Sequence, residues 1–183
     1  MLTWLTSRRQ HQKTAQKLYG RIVAQARNPW FYSHLGVPDT LEGRFEMLVL
    51  HMYLVLDRLR TSESCAPLAQ ALVDDFFEDL DVIHRELGVS DLKVPKRMYR
   101  TAGVFYARLD DYARAFADED TGAIDAAIKA CVGSEAGTPA DVAALRDYAI
   151  AVQQALEAQD GASLARADVT FQVPGRTDQV EVS

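Results

Sequence analysis

Apolar positions recur along most of this chain at the three- and four-residue intervals that mark one buried face of an α-helix. Residues 8–27 put Leu18, Tyr19, Ile22, Val23 and Ala26 on one stripe. A second stripe, over about 40–60, carries Leu41, Phe45, Leu48, Val49, Met52, Leu56 and Leu59. A third runs through Leu68, Leu72, Phe76, Leu80, Ile83 and Leu87. It begins at Pro67, which suits a first helical turn, and closes at Gly88, which suits a left-handed C-cap. A fourth helix follows Pro95 to about Phe116, with Met98, Ala102, Phe105, Tyr106, Leu109, Tyr112 and Ala113 as its apolar positions. Two shorter helices are predicted at roughly 121–132 and 139–158. The helical period then fades, and Val169 to Val173 alternates as a short strand or a docked extended arm would. The predicted fold is all-α: one compact helical domain of about six helices over residues 1–183, with a short extended C-terminal arm.

The break between the first two helices is unusual. From Arg27 to Glu46 the chain carries three consecutive aromatics (Trp30, Phe31, Tyr32), two prolines (Pro29, Pro38) and two glycines (Gly36, Gly43). Pro29 pushes Asn28 out of the helical region and ends the first helix. Asp39 stands three residues before Glu42, the spacing of a capping box that opens the next helix. A stiffened loop is expected, with an aromatic payload that is either core filler or a binding surface.

Charge sharpens the picture. Residues 1–38 hold six basic side chains and no acid, whereas residues 118–183 hold twelve acids against four bases. Arg9, Lys13, Lys17 and Arg21 recur every four residues, a basic ridge that drifts slowly around the helix. Its target is an anionic surface, or else the acidic end of the same chain. A second basic cluster, Lys93, Lys96, Arg97 and Arg100, crowds the start of the fourth helix, where cations oppose the macrodipole. Either the acidic helix before it, with Asp79, Asp81 and Glu86, packs alongside, or an external partner binds there. The division expected is an internal role for Arg97 and an external one for Lys96, since neighbouring helical positions point about 100° apart.

Catalytic chemistry leaves few traces. Asp74, Asp75, Glu78 and Asp79 resemble an aspartate-rich metal–diphosphate motif, but no second carboxylate cluster answers it. Asp81 and His84 have the spacing of one half of a di-metal site without the other half. No nucleotide loop or nucleophile elbow occurs, and neither Cys65 nor Cys131 has the neighbours of a nucleophile or a metal ligand. No catalytic residue, metal or cofactor is expected. No apolar run reaches the roughly 20 residues that cross a bilayer. The start of the chain does not read as a secretory signal, and two unpaired cysteines suit a reduced compartment, so a cytoplasmic protein is expected.

Two ordered blocks carry a family resemblance. The first runs Tyr19, Ala24-Gln25-Ala26-Arg27, Phe31-Tyr32, Gly36-Val37-Pro38-Asp39-Thr40, Gly43-Arg44-Phe45-Glu46 and His51. The second runs Asp79-Leu80-Asp81, Arg85-Glu86-Leu87-Gly88-Val89, Asp91, Val94-Pro95-Lys96-Arg97, Phe105-Tyr106, Arg108 and Tyr112. Over about residues 13–117 the chain resembles the ubiquinol–cytochrome c chaperone family. It departs from the pattern at Leu80, His84, Ser90 and Ala107, and the helical extension and arm at 118–183 carry no specific likeness.

The resemblance implies an assembly factor, not an enzyme: a chaperone of newly made cytochrome b in the biogenesis of respiratory complex III, with no cofactor. It points to the bacterial branch, without a targeting extension or membrane-seeking segment. Expected partners are cytochrome b and, beyond it, the ribosome or an anionic membrane surface, with no DNA, and a peripheral place at the inner face of the cell membrane. Client or partner contact is expected from Trp30, Phe31, Tyr32, Arg44, Asp79, Asp81, Arg85, Lys96 and Arg97. Contact with an anionic surface is expected from Arg9, Lys13, Lys17 and Arg21. The alternatives are a metal- or diphosphate-dependent helical enzyme and an RNA- or ribosome-binding module.

Overall fold

The computed structural model describes residues 2–88, 90–117, 120–132, 140–160, 163–164 and 166–171. Helices α1 (Leu2–Ala26), α2 (Pro29–Ser33), α3 (Leu41–Arg60), α4 (Ala66–Glu86), α5 (Val94–Ala117), α6 (Thr121–Val132) and α7 (Val142–Glu157) account for most of them, and no strand occurs among the described residues. The all-α expectation holds.

The stripe on α3 is broader than the others. Met47, Val49, Leu50, Met52, Leu54 and Val55 are all buried, so this helix is apolar on nearly every side and occupies the centre. It packs against α1, α4, α5, α6 and α7, while α4 lies along α1 and α5 bridges α4 to α6. Phe76 and Phe105 stack at 4.5 Å between α4 and α5, and Tyr53, Tyr112 and Phe116 cluster between α3 and α5.

The aromatic break is not an open loop. Asn28 caps a one-turn helix, its Oδ1 accepting from the Trp30 amide at 3.0 Å, and Pro29 fills the first turn. The cap of α3 is Thr40 rather than Asp39: Thr40 Oγ1 accepts from Gly43 N at 3.1 Å. Asp39 lies one residue outside the helix, beyond reach of that amide, and pairs with Arg44 at 2.6 Å instead. Gly43 is required where it stands, since a Cβ there would lie 2.0 Å from the Pro38 carbonyl oxygen. Gly88 adopts φ +74° and closes α4 as its sequence position predicts.

Among the described residues, as far as Phe171, the C-terminal stretch is an arm, not a strand. Gln159 brackets Thr170 with two side-chain hydrogen bonds, Val169 is buried, and the Phe171 ring lies 6.0 Å from His51. Gln172 and Val173, the rest of the alternating run, fall outside the described residues.

Candidate functional site

Where α1, α3, α4 and α5 converge, the apolar stripes do not quite close. A groove of 490 Å³ remains, walled by Val23 and Ala26 of α1, Leu41, Phe45 and Leu48 of α3, Leu80, Ile83 and Leu87 of α4, and Val104 of α5. Leu41, Leu87 and Val104 are exposed in spite of their apolar character. Four arginines, Arg27, Arg44, Arg97 and Arg100, stand at its rim, with Glu42. Apolar walls under a cationic rim fit a ligand that is apolar along its length and carries carboxylates or carbonyl ends.

His84 sits in this wall with both ring nitrogens buried and without a hydrogen-bond partner. Burial lowers its pKa, and the neighbouring Arg97 guanidinium lowers it further against the opposing pull of Asp81. The imidazole is therefore held toward its neutral form, in keeping with an apolar lining.

The helices are tied by polar contacts between segments far apart in sequence, one of them through Glu46 in the groove lining. Glu46, 8% exposed, receives Arg108 at 3.2 Å on each oxygen, and Arg108 reaches on to the Ala130 carbonyl at 3.3 Å, joining α3, α5 and α6. Burial holds the Glu46 carboxyl above the usual range, only partly offset by Arg108. His51 is wholly buried: its Nδ1 donates to the Met47 carbonyl at 2.7 Å, which leaves Nε2 to accept from the Tyr148 hydroxyl at 2.8 Å. Tyr148 accepts in turn from Gln25 at 2.8 Å, so one chain of hydrogen bonds links α1, α7 and α3. Burial pushes the His51 pKa down to about 4.

The structure separates the residues that sequence grouped as a client surface. Phe31 is fully buried, with its ring 4.9 Å from Tyr148 and 5.6 Å from His51, and presents nothing to a partner. Successive side chains on a one-turn helix diverge by about 100°, so three adjacent aromatics cannot share a surface. Trp30 stacks on His34, and Tyr32 donates to the Ala26 carbonyl at 2.8 Å, both half-buried. Arg44 and Arg97 come together at the groove rim. Asp79 accepts from the Tyr19 hydroxyl at 2.8 Å. Asp81 pairs with Arg85 at 2.7 Å, and Arg85 also reaches Asp91. Asp79 and Asp81, expected at a client surface, are thus occupied, and four arginines outnumber Glu42 at the groove rim. Lys96 is exposed, and neither it nor Arg97 has an ion-pair partner among the described residues, so the internal carboxylate partner expected for Arg97 is not found there.

The basic ridge is divided. Lys17 pairs with Asp168 at 2.9 Å, and Arg21 donates to the Val169 carbonyl at 2.7 Å, so both hold the C-terminal arm onto α1. Lys17 and Asp168 are each about half exposed. Arg9 and Lys13 stay exposed without an ion-pair partner among the described residues. Among the aspartates weighed for metal or diphosphate, Asp75 takes a hydrogen bond from Gln12 of α1. No group of three or more His, Cys, Asp or Glu side chains among the described residues is placed to hold a metal.

Glu46 and Arg108 escaped sequence reading as a pair, although each interrupts an apolar stripe beside Phe45 and Leu109. A charge at an inward position was the available signal.

Comparison with known proteins agrees with this architecture. The ubiquinol–cytochrome C chaperone family model matches residues 33–171, from the end of α2 through α7 and the arm, past the limit at 117 suggested by sequence motifs. The crystal structure of the Cbp3 homolog from Brucella abortus superposes with a TM-score of 0.82 at 34% identity, over 94% of this chain and 97% of that one. Ubiquinol-cytochrome c reductase complex assembly factor 1 of Mus musculus is 22% identical over 82% of this chain. Its Xenopus laevis counterpart is 21% identical over 82%. The matched stretch spans about half of the mouse protein (51%) and 76% of the frog protein. By the extent of the family match, with α3 to α7 and the arm inside it, this chain belongs to the ubiquinol–cytochrome c chaperone family.

Proposed function

We propose that this protein is an assembly factor for ubiquinol–cytochrome c reductase, respiratory complex III, and that it holds newly made cytochrome b before the complex is built. Family membership supports the first statement, together with the names of the mouse and frog relatives. The observation that carries the second is the 490 Å³ groove, apolar on four helices and rimmed by Arg27, Arg44, Arg97 and Arg100. It suits one face of a membrane-protein helix whose end offers carboxylates or the bare carbonyls of its last turn. The role is binding, not catalysis: Asp75 and Asp79, which a metal–diphosphate enzyme would need, are hydrogen-bonded to α1. Further contact with the ribosome suits Arg9 and Lys13, and an anionic membrane surface would hold the protein peripherally at the inner face of the cell membrane.

Removal of the gene is expected to lower cytochrome b and assembled complex III while other respiratory complexes persist. Returning the wild-type gene restores both. Returning Leu87→Asp with Val104→Asp, two exposed groove residues, yields a folded protein at normal level that restores neither. Unchanged cytochrome b in the deletion strain overturns the reading.

A further inference from the structure

We propose that the turn at residues 90–93, together with the outer face of α5, is a membrane-contact surface that binds anionic phospholipid. The proposal deepens the peripheral placement given above by naming the surface, and it stands on observations separate from the groove's apolar walls.

Leu92 is 93% exposed. Its position is not that of a loose end, because the turn is closed by Lys93 and Val94 amides donating to the Ser90 carbonyl at 2.7 and 3.2 Å, and Val94 is itself buried. An aliphatic side chain is thus held out into water by a fastened backbone. On α5, Tyr99 is 83% exposed and Tyr106 52%. Seven residues apart, they stand on one face of the helix. Lys96 and Arg100 flank that face, Lys93 precedes its first turn, and Arg97 turns toward the groove; none has an ion-pair partner among the described residues. Of the acids nearby, Asp91 is taken up by Arg85, and exposed Asp110 lies a full turn past Tyr106. Lys17, Arg21, Arg58, Arg108 and Arg146, by contrast, all hold other segments, while Arg9 and Lys13 on α1 have no ion-pair partner among the described residues.

Unpaired cations at the opening of a helix oppose its dipole, and an external anion removes that cost. Phosphate headgroups supply one. The bilayer interface also accepts the other members of the set: an aliphatic tip at the acyl boundary, tyrosine rings at headgroup depth, and lysine stems that reach outward to phosphate. RNA would take the cations and stack on tyrosine but leave Leu92 in water. An acidic protein would need a surface shaped to side chains that stand free, whereas a fluid bilayer needs no such match. Arg100 flanks this face and also lines the groove, so docking here sets the groove's mouth beside the membrane.

Flotation of the purified full chain with vesicles tests the proposal. The protein is expected to float with phosphatidylcholine–phosphatidylglycerol vesicles, to stay behind with phosphatidylcholine alone, and to be released by salt. Lys93→Gln and Lys96→Gln are each expected to lower partitioning about fivefold. Leu92→Ser and Tyr99→Ser lower it with the melting temperature unchanged, and a Leu92→Trp variant shifts its emission to the blue on meeting the anionic vesicles. Arg9→Gln with Lys13→Gln leaves partitioning intact. Equal flotation with neutral vesicles, no flotation at all, loss through Arg9 and Lys13 instead, or a Leu92→Trp emission that stays water-like would each overturn it. A Leu87→Ser/Val104→Ser protein, which adds no charge beside Arg97 and Arg100, is expected to float normally while failing to restore complex III, so failure of this surface and failure of the client reading are told apart.

Discussion

Glu46 and Arg108, on helices α3 and α5 and 62 positions apart, meet inside the protein as a two-pronged ion pair, with Glu46 in the lining of the groove. Removing one partner leaves the other uncompensated. Arg108→Met is expected to cost about 3 to 5 kcal/mol, because the Glu46 carboxylate remains buried without its cation. Glu46→Leu with Arg108→Met is expected to regain most of that loss. Urea unfolding of the single and double variants checks this, and a double variant no better than Arg108→Met counts against it.

Acid sensitivity should centre on His51. Its folded pKa of about 4 lies below the ordinary histidine value, so the unfolded chain binds the extra proton first as pH falls. Stability from this group is complete above about pH 6.5 and is lost progressively toward pH 4, by on the order of 3 kcal/mol. Glu46 and Asp75, whose pKa values burial raises, work the opposite way and favour the folded state when protonated. Melting temperature followed from pH 7 to pH 5 is expected to fall in the wild type and to fall less in His51→Gln. Parallel curves would contradict the assignment.

Thr40 and Asp39 should trade the roles that sequence spacing suggests. Thr40→Ala removes the side-chain acceptor for the Gly43 amide and is expected to cost about 1 kcal/mol. Asp39→Ala removes only an exposed pair with Arg44 and is expected to cost less than Thr40→Ala. Denaturant midpoints of the two variants give the order directly.

The arm should release as a unit. Val169→Asp, at a buried position, is expected to free it and to speed tryptic cleavage after Arg166 while the helical circular dichroism persists. Lys17→Ala, at a half-exposed pair, is expected to cost less than about 1 kcal/mol. Cleavage unchanged by Val169→Asp would show that the arm is not held through this residue.

Much of the fold was legible because helical period is local. The stripes through Leu18 and Ile22, through Phe76 and Leu80, and through Phe105 and Tyr112 all face the core. Gly88 ends its helix, and two-ended charge asymmetry correctly raised the option that the ends neutralise each other, as Lys17 and Asp168 do. Period does not say which helix faces which. The links Glu46–Arg108, His51–Tyr148 and Tyr19–Asp79 span 62, 97 and 60 positions, and the groove exists only where four such stripes meet imperfectly. Phe31 was misplaced on a client surface for a related reason: a tight turn of helix sends adjacent side chains to different environments.

The latch of Lys17 and Arg21 on the arm also orders events in time. Lys17 and Asp168 are separated by 151 positions, so at about 5–20 residues per second a ribosome makes them roughly 8 to 30 seconds apart. For that interval α1 can fold against α4, but its basic side has no Asp168 or Val169 to hold. Docking of the arm therefore belongs to the end of synthesis, and a chain stopped short of residue 168 would carry the same groove with two lysine and arginine heads still open to any anion nearby.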